Sequence, residues 1–521
     1  MMAKNLLLNK KIPTYLICLL LGFFINLSFG QKSERHQQHN YSNKSTDVRP
    51  NIIILLSDDQ RFDGFSLAGN AIIKTPELNK LAMEGSYFVN GFVTTPICAV
   101  SRASILTGQY ASTHQVNDFS TGVQLNSTYP RILKDNGYFT GFIGKWGVND
   151  EDDEYFNQVI SMFDYWGGST HQANYWHQKS CNYVKNTGVI DKKNFKCNCP
   201  PDSRGVEGEG IRIGKENLKN PIHLTTEIIP EKVESFLSQV EDEKPFCLSV
   251  SFKAPHGPWR DYDERFKENY IGDNMPLSKS VDYNHAKSRP LFLQNSLNGD
   301  LKKIQDKSVN GNLQNSIRNY YRLIEGIDFS IGKIRILLNE YGVADNTIII
   351  FLSDNGMFLG EHGFRGKWLL YEESIRVPII IYDPTVVNSH VVSTVDEMVS
   401  NIDIAPTILK YAGINEIRQM DGLPLQPLVI KKPSQKWNRN ELFFEHHFTN
   451  GSGKNHIEPS RAIRTKNWKY INYYNQNDKK SEELYWIGKD HFELQDLSGN
   501  PNFSDTLQVM RNKYDNFFQN Q

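Results

Sequence analysis

The chain has 521 residues, of which 39% are hydrophobic and 22% are charged, a composition typical of a globular protein. Its formal net charge is -1, so no overall field directs it to nucleic acid or to an anionic membrane. We therefore expect no nucleic-acid partner and no stable membrane insertion, and an anionic substrate must be held by a local basic site.

The N-terminus has the pattern of a secretory signal peptide over residues 1–30. Lysines precede an apolar run over residues 15–29, and the small residues Ser28 and Gly30 suit a cleavage site. An uncleaved anchor is the alternative. Residues 31–49 are polar and poor in aromatics, which predicts a disordered lead-in. The protein is thus expected to be secreted or periplasmic.

From residue 51 onward, β-branched apolar runs alternate with segments of helical spacing. The predicted strands cover residues 51–56, 246–252, 347–352 and 377–382. One helix begins at Thr75 and Pro76 and ends at Gly85, and two more cover residues 229–240 and 321–338. This alternation predicts a layered α/β core with a largely parallel sheet.

Three stretches break the alternation. Residues 150–222 and 262–315 are predicted to be long loop insertions, which often carry substrate contacts. After Pro424, short strand-like runs and a final helix over residues 506–518 predict a small α+β domain. We therefore predict a catalytic domain over residues 50–425 and a C-terminal domain over residues 426–521.

Two polar motifs follow predicted strands. Asp58 and Asp59 come directly after NIIILLS, and Asp354 and Asn355 come directly after TIIIFLS. Ligand sites form at such strand ends in α/β sheets. The motifs offer only oxygen donors, which favour calcium or magnesium over zinc. One such pair alone would be a common helix cap or turn.

A third motif, Cys98-Ala99-Val100-Ser101-Arg102, resembles the modification signature of the type I, formylglycine-dependent sulfatases. The resemblance extends over most of the mature chain and keeps the family's order of motifs. Its further segments are NIIILLSDDQ, LTGQY, GYFTGFIGKW, APHGPW, SDNGMFLGEHGFRGKW and RTKNWKYI. It implies an alkaline-phosphatase-like fold, with a mixed, largely parallel sheet between helices and a small C-terminal α+β domain.

The resemblance also implies the chemistry of the site. Cys98 would be converted to formylglycine by a maturation enzyme, and a hydroxyl of the hydrated aldehyde would attack sulfur. Calcium would be bound by Asp58, Asp59, Asp354, Asn355 and the modified Cys98. Arg102 would hold the formylglycine and the carboxylates, Lys145 and Lys367 would contact sulfate oxygens, and His256 would help protonate the leaving alcohol.

The sequence departs from the family at two positions. Val100 stands where Pro or Ala is usual. Gly147 stands where the family usually has a His that assists collapse of the sulfated hydrate. If the imidazole is simply missing, Gly147→His should preserve or raise that rate. His171 is a candidate substitute, although it could instead contact substrate or only solvent, and nearby Ser169 matches a Ser that contacts sulfate.

The cysteines leave two alternatives open. Five remain after loss of the signal peptide, namely Cys98, Cys181, Cys197, Cys199 and Cys247. An odd number in an exported protein leaves at least one outside an intramolecular disulfide. A disulfide from Cys181 to Cys197 or Cys199 is favoured over a metal site at that pair, and Cys247 is expected to be a buried thiol.

The substrate expected from the resemblance is a sulfated polysaccharide or oligosaccharide, with an algal glycan such as ulvan favoured. Trp259 and Arg260 are candidate sugar contacts, as are Tyr175, Trp176 and His177, although each aromatic could equally belong to the packing of an insertion. The alternatives are a glycosaminoglycan or aryl sulfatase, a phosphonate or phosphate ester hydrolase of the same superfamily, and a degenerate sulfated-glycan-binding protein.

Overall fold

The structure is a computed structural model whose described residues do not include the predicted signal peptide or His171. The described ranges are 49–149, 152–169, 172–185, 188, 199, 215, 218–299, 307–386, 393–415, 419–429, 437–450, 456–474 and 482–519.

An eight-stranded sheet forms the centre of the fold, and a four-stranded sheet lies in the C-terminal region. The strands are β1 (Asn51–Asp58), β2 (Ser86–Phe92), β3 (Phe139–Lys145), β4 (Tyr165–Ser169), β5 (Trp176–Gln178), β6 (Pro221–His223), β7 (Phe246–Pro255), β8 (Thr347–Ser353), β9 (Phe358–Leu359), β10 (Arg365–Gly366), β11 (Ile379–Tyr382), β12 (Ser393–Ser400), β13 (Glu441–His446), β14 (Ser460–Thr465), β15 (Lys469–Asn472) and β16 (Glu482–Tyr485).

The helices pack on these sheets or connect the strands. They are α1 (Pro76–Glu84), α2 (Cys98–Thr107), α3 (Ala111–His114), α4 (Tyr129–Asp135), α5 (Asp153–Ser161), α6 (Asn182–Lys185), α7 (Ile229–Leu237), α8 (Tyr283–Ser288), α9 (Leu291–Gln294), α10 (Lys307–Glu340), α11 (Glu372–Ile375), α12 (Ile404–Tyr411), α13 (Gln426–Val429) and α14 (Ser504–Phe518).

The large sheet has the order β12-β2-β11-β8-β1-β7-β3-β4. All its neighbouring pairs are parallel except the two that involve β11. Strand β1 lies between β8 and β7, so the carboxyl ends of these three strands meet at one edge. The prediction of a mixed, largely parallel α/β sheet is confirmed.

Both faces of this sheet are covered by helices, as the continuous apolar runs predict. In β1, Ile53 and Leu55 belong to a core that includes residues of α1, α7 and α10. Ile52 and Ile54 belong to a second core that includes residues of α4, α5 and α12. Alternate side chains of one strand therefore stabilise two helical layers.

Helix α10 begins at Lys307, although the sequence predicted a helix only from residue 321 and a loop up to residue 315. The missed part is rich in Asn and Ser, which hide the helical spacing. Leu313, Ile317, Tyr320 and Ile324 nevertheless recur at intervals of three or four and pack in one apolar cluster. The second predicted insertion is thus partly helical.

The C-terminal sheet is antiparallel, with the order β13-β14-β15-β16. Leu507, Met510 and Tyr514 of α14 pack against its strands. This confirms the small α+β unit, while its predicted boundary near residue 425 remains a prediction. No helix within the described ranges combines the length and apolar character that crossing a membrane requires.

Candidate active site

The two predicted acidic motifs meet at the carboxyl edge of the large sheet. Ser57 of β1 pairs with Ser353 of β8, which places Asp58 and Asp59 beside Asp354. The backbone N–H of Asp59 donates to Oδ1 of Asp354 at 3.1 Å. The parallel register therefore builds one acidic cluster from two motifs that lie almost 300 residues apart.

Asp59 has a left-handed backbone, with φ of 69°, which is uncommon for a residue that carries a side chain. Two of the contacts of this residue come from neutral side chains. The hydroxyl of Tyr320 donates to the Asp59 carbonyl oxygen at 2.6 Å, and Nδ2 of Asn355 donates to its Oδ1 at 2.6 Å. Such a backbone in an oxygen-rich cluster is characteristic of a functional site.

The oxygen donors fit a hard divalent cation. Oδ1 of Asp58 and Oδ1 of Asn355 are buried and have no hydrogen-bond partner among the described atoms. Ligand atoms of Asp58, Asp59 and His256 lie within 4.8 Å of one another. Carboxylate and amide oxygens are the ligands that calcium and magnesium prefer. The Asp354 carboxylate instead accepts hydrogen bonds from the Asp59 N–H and from the Arg102 guanidinium.

Two buried ammonium groups face these carboxylates. Nζ of Lys145, the last residue of β3, lies 2.6 Å from Oδ2 of Asp58. Nζ of Lys367 lies 2.5 Å from Oδ1 of Asp59. Burial disfavours both charges, but the carboxylates outweigh it, and the pKa of each lysine is raised. Both lysines are therefore cations held inside the protein.

The carboxylates respond unequally to this environment. Burial acts to raise the pKa of Asp58, but Lys145, His256 and Arg102 outweigh it, and the pKa is held well below its ordinary value. Burial and the Asp58 charge raise the pKa of Asp354 to about 6. Asp58 is thus the more firmly ionised of the two.

Helix α2 brings Cys98 and Arg102 to the same site, because residues four apart lie on one face of a helix. The Arg102 guanidinium contacts Oδ2 of Asp354 at 2.8 Å, the Lys145 carbonyl oxygen at 2.9 Å and Oγ of Ser251 at 2.5 Å. The Arg102 side chain is therefore held by residues of β3 and β7 and by the residue that follows β8.

Cys98 is the first residue of α2, and it is 5% exposed. Its charged form would interact with Arg102, Lys145 and Lys367. The first N–H groups of a helix have no partner within the helix, and the helix dipole favours negative charge there. The position therefore suits a nucleophile that attacks an anionic group.

Val100 lies on the other side of α2. It packs with Ile97 and Ala111, and the partly buried Trp368 and Phe448 complete this apolar cluster. Val100, which departs from the family pattern, therefore has an apolar packing role in the folded protein.

His256 directly follows β7. Its Nδ1 lies 3.0 Å from the Gly257 carbonyl oxygen, which can only accept a hydrogen bond, so Nδ1 carries a proton. Nε2 points toward Asp59, with 3.8 Å to Oδ2. Burial lowers the pKa of His256, although Asp58 and Asp59 oppose this effect. The imidazole therefore presents Nε2 to the acidic cluster.

Gly147 lies against the side chains of two cations of the site. Gly147 has φ of +74°, and a Cβ built on it would lie 2.9 Å from Cε of Lys145 and 3.0 Å from Cδ of Arg102. The stems of two site cations already fill the space. A His side chain would displace them, so the structure predicts that Gly147→His impairs the enzyme rather than preserving its rate.

Gly147→Ala should therefore lower kcat by roughly tenfold or more, because it shifts Lys145 and Arg102. Gly69→Ala is the matched control, since Gly69 also has a left-handed backbone, φ +97°, but a Cβ there meets nothing within 4 Å. Both variants should lose about 1–2 kcal/mol of unfolding free energy. Equal kcat values for the two, measured at equal folded fractions, would refute the role of the Gly147 contacts.

The predicted substrate contacts have different environments. Ser169 ends β4 and is paired in register with Lys145. Trp259 packs edge-on against Tyr320, with 5.4 Å between ring centroids. The Arg260 side chain is 60% exposed and lies 3.8 Å from Asp261. His171 lies outside the described residues, so its placement as a substitute base stays a prediction.

Three other predicted sugar contacts are buried. Tyr175, Trp176 and His177 are at most 7% exposed, so they belong to the packing of the insertion. Tyr175 stacks on His223, with 5.6 Å between the rings, and its hydroxyl donates to the His256 carbonyl oxygen at 2.6 Å. Tyr175 therefore supports the backbone of His256.

Sequence reasoning missed Ser251 and Tyr320 as parts of the site. Ser251 lies in a predicted strand and Tyr320 one residue before a predicted helix. Neither belongs to a motif, so only the partners of Arg102 and Asp59 reveal them.

Comparison with known proteins identifies the family. The sulfatase family model matches residues 50–414, and the model described as N-sulphoglucosamine sulphohydrolase, C-terminal, matches residues 360–520. The chain is 29% identical over 477 residues to an arylsulfatase of Clostridium perfringens, which covers 89% of this chain and 93% of that protein. It is 26% identical over 520 residues to an ulvan-active sulfatase of Formosa agariphila, which covers 97% of this chain and 88% of that protein.

A solved structure has a similar fold. It is a complex of a protein with its substrate D-glucosamine-2-N,6-O-disulfate, with a TM-score of 0.69 and 23% identity, and the match covers 91% of this chain and 99% of that one. The family model spans most of the chain, including the strand ends and the helix that build the site described above. The chain therefore belongs to the sulfatase family and is a sulfuric ester hydrolase.

Proposed function

We propose that this sulfatase removes sulfate from a sulfated polysaccharide or oligosaccharide, and that Cys98, after conversion to formylglycine, supplies the nucleophile. The observation that carries the proposal is the position of Cys98 at the start of α2, one helical turn before Arg102, whose guanidinium contacts the Asp354 carboxylate of the acidic cluster. The Cys98 side chain stands where the formylglycine side chain would be. The hydrated aldehyde is a stronger nucleophile than an ordinary hydroxyl group at neutral pH.

The charges of the site suit an anionic substrate. The site holds three cationic side chains and three carboxylates, so their formal charges cancel. The cations are Arg102, Lys145 and Lys367, and the carboxylates are those of Asp58, Asp59 and Asp354. With a divalent cation bound, the two lysines are no longer needed to neutralise Asp58 and Asp59. Their ammonium groups are then available to sulfate oxygens, where they stabilise negative charge as it develops.

We assign calcium to Asp58, Asp59, Asp354 and Asn355, together with the modified Cys98. The unpaired oxygens of Asp58 and Asn355 support this assignment. When bound, calcium would polarise the sulfate group and lower the pKa of the nucleophile. Arg102 holds Asp354 in place, and Ser169 lies at the strand end beside Lys145, where it can contact sulfate.

His256 is proposed to give its Nε2 proton to the leaving alcohol. Nδ1 donates to the Gly257 carbonyl oxygen, which fixes the ring with Nε2 toward the acidic cluster. A sulfate anion beside the ring would favour the protonated form, against the effect of burial. The ring is thus oriented for proton transfer at one defined atom.

Among sulfated glycans we favour an algal glycan such as ulvan. The alignment with the ulvan-active sulfatase includes 97% of this chain, so it extends over both insertions. Arg260 adds an exposed cation four residues after His256, where a uronate or a second sulfate of a glycan could bind. A glycosaminoglycan would offer similar groups.

The proposal also includes export and maturation. Residues 1–30 would direct the chain to the periplasm or the medium, where a polymeric substrate is accessible. A formylglycine-generating enzyme would be the partner that modifies Cys98. Trp259 would form an apolar wall beside the sugar through its contact with Tyr320.

Sulfate release from a defined panel tests the substrate. The panel holds ulvan oligosaccharides, sulfated glycosaminoglycan disaccharides, an aryl sulfate and an aryl phosphonate ester, with Cys98→Ala protein as the blank. We expect kcat/KM for ulvan oligosaccharides to exceed that for the aryl sulfate by roughly 100-fold, because remote sugar contacts add to transition-state binding. A preference for glycosaminoglycans would refute the ulvan assignment, and a preference for the phosphonate ester would refute the sulfatase reaction itself.

A further inference from the structure

A cluster of two thiols and one imidazole lies in the first insertion, apart from the acidic cluster. Nδ1 of His177 lies 3.8 Å from Sγ of Cys181 and 4.0 Å from Sγ of Cys199. All three ligand atoms lie within 4.8 Å of one another, and His177 and Cys181 are fully buried. We propose that His177, Cys181 and Cys199 bind a structural zinc ion.

The hydrogen bonds of His177 set its tautomer for metal binding. Nε2 lies 2.9 Å from the Asn174 carbonyl oxygen, which can only accept, so Nε2 carries the proton. In the neutral ring, Nδ1 then carries the lone pair and points at both sulfur atoms. Metal-bound histidines usually donate their second N–H to a carbonyl or a carboxylate in this way.

The distances suit a tetrahedral zinc site. Zinc binds thiolate sulfur at about 2.3 Å and imidazole nitrogen at about 2.0–2.1 Å, which places neighbouring ligand atoms roughly 3.6 Å apart in a tetrahedron. The two observed separations of 3.8 and 4.0 Å require only a small contraction. The donors are soft, so they favour zinc and disfavour calcium.

The surroundings of the two sulfur atoms include an N–H donor and a lysine. The backbone N–H of Gln178 donates to Sγ of Cys199 at 3.4 Å. The buried Lys232 ammonium donates to the Tyr183 carbonyl oxygen at 2.8 Å and interacts with the charge of a Cys181 thiolate. Metal ligands must be deprotonated, so a nearby cation and N–H donor assist binding.

A disulfide is the competing explanation for these cysteines. Cys181 and Cys199 are not joined to each other in the described structure. The other predicted partner, Cys197, lies outside the described residues. The zinc site is defined by its three described ligands, and a disulfide at Cys181 would exclude it.

The ion would fix the insertion beside the active site. His177 belongs to β5, which pairs with β6, and Cys181 directly precedes α6. Two residues before His177, the Tyr175 hydroxyl donates to the carbonyl oxygen of His256. Zinc would thus hold in place the segment that supports the backbone of His256.

Metal analysis of the intact, tag-free protein made in zinc-supplemented medium tests the site. We expect about one zinc ion per chain, as for a structural site, and at least a tenfold loss of zinc in Cys181→Ser and Cys199→Ser. Cys247→Ala removes a buried thiol of β7, and Cys98→Ala removes the thiol of the active site. Both should retain zinc, which excludes adventitious binding to those thiols.

A second measurement keeps the test decisive if a ligand variant does not fold. Wild-type protein dialysed against Co²⁺ should show thiolate-to-cobalt charge-transfer absorption, and alkylation under denaturing, non-reducing conditions should modify Cys181 and Cys199. Wild-type protein that binds neither Zn²⁺ nor Co²⁺, or that contains Cys181 in a disulfide, would overturn the proposal. Neither result depends on sulfatase activity.

Discussion

Cys98→Ala is expected to abolish sulfate release, with kcat/KM lower by roughly 10⁴-fold or more, as for loss of a catalytic nucleophile. The variant removes Sγ, without which Cβ of Cys98 cannot be oxidised to the aldehyde. Alanine suits the first turn of α2 and adds no atom to a residue that is 5% exposed. The loss should therefore appear in turnover with little change in the midpoint of thermal unfolding.

Cys247→Ala is the control for this variant. Cys247 is also buried, but it lies within β7, and burial raises the pKa of its thiol. It should keep full turnover while losing some stability from the cavity in the sheet core. Substantial sulfate release by Cys98→Ala, above a blank without enzyme, would rule out Cys98 as the source of the nucleophile.

Asp58→Asn should lower both calcium affinity and kcat/KM, the latter by roughly 10³-fold. The substitution keeps the shape of the side chain but removes a firmly ionised carboxylate that faces Lys145 and Arg102. Three buried cations then face two carboxylates, so a divalent cation binds less well. Calcium content measured by mass spectrometry and turnover at saturating calcium report the two effects separately.

Asp164→Asn is the matched control, because Asp164 also pairs with a lysine and accepts a backbone N–H, but at the start of β4 rather than at the catalytic edge. It should retain calcium and activity. An Asp58→Asn enzyme that binds calcium as tightly as the wild type would contradict the metal assignment. The folded fraction is checked by circular dichroism, since unpaired buried charges lower stability.

The central sheet and the acidic cluster follow from local sequence. The β-branched run before Asp58 and the one before Asp354 predict buried parallel strands, and parallel strands end at one edge. The meeting of the two motifs therefore needs no knowledge of distant contacts. The same reasoning predicts that Cys98 and Arg102 share a helical face once α2 is placed.

Contacts between distant elements were beyond sequence reasoning. Tyr320 holds the Asp59 carbonyl across 261 residues, and no pattern in either segment indicates the pair. Gly147 showed only that an imidazole is absent, whereas its positive φ and its contacts with Lys145 and Arg102 are properties of the folded chain. The sequence alone therefore does not show that the Lys145 and Arg102 side chains occupy the space beside Gly147.

The cysteines illustrate the same limit. His177 and Cys181 are four residues apart, but only the folded structure shows Cys199 beside them. The number of cysteines and the predicted export favour a disulfide, because an oxidising compartment promotes disulfides. Neither observation shows which side chains lie next to each other in the fold. The buried imidazole beside both sulfur atoms is what moves the interpretation toward a metal.

The central claim is that Cys98 becomes the nucleophile of a sulfatase, and the mass of the tryptic peptide that contains Cys98 tests it most directly. The protein is produced with a formylglycine-generating enzyme, and the peptide that contains Cys247 serves as the unmodified reference. We predict a loss of about 18 Da at Cys98, as expected when the thiol becomes an aldehyde, and an intact thiol at Cys247. An intact thiol at Cys98, in protein that releases sulfate from a glycan, would contradict the account.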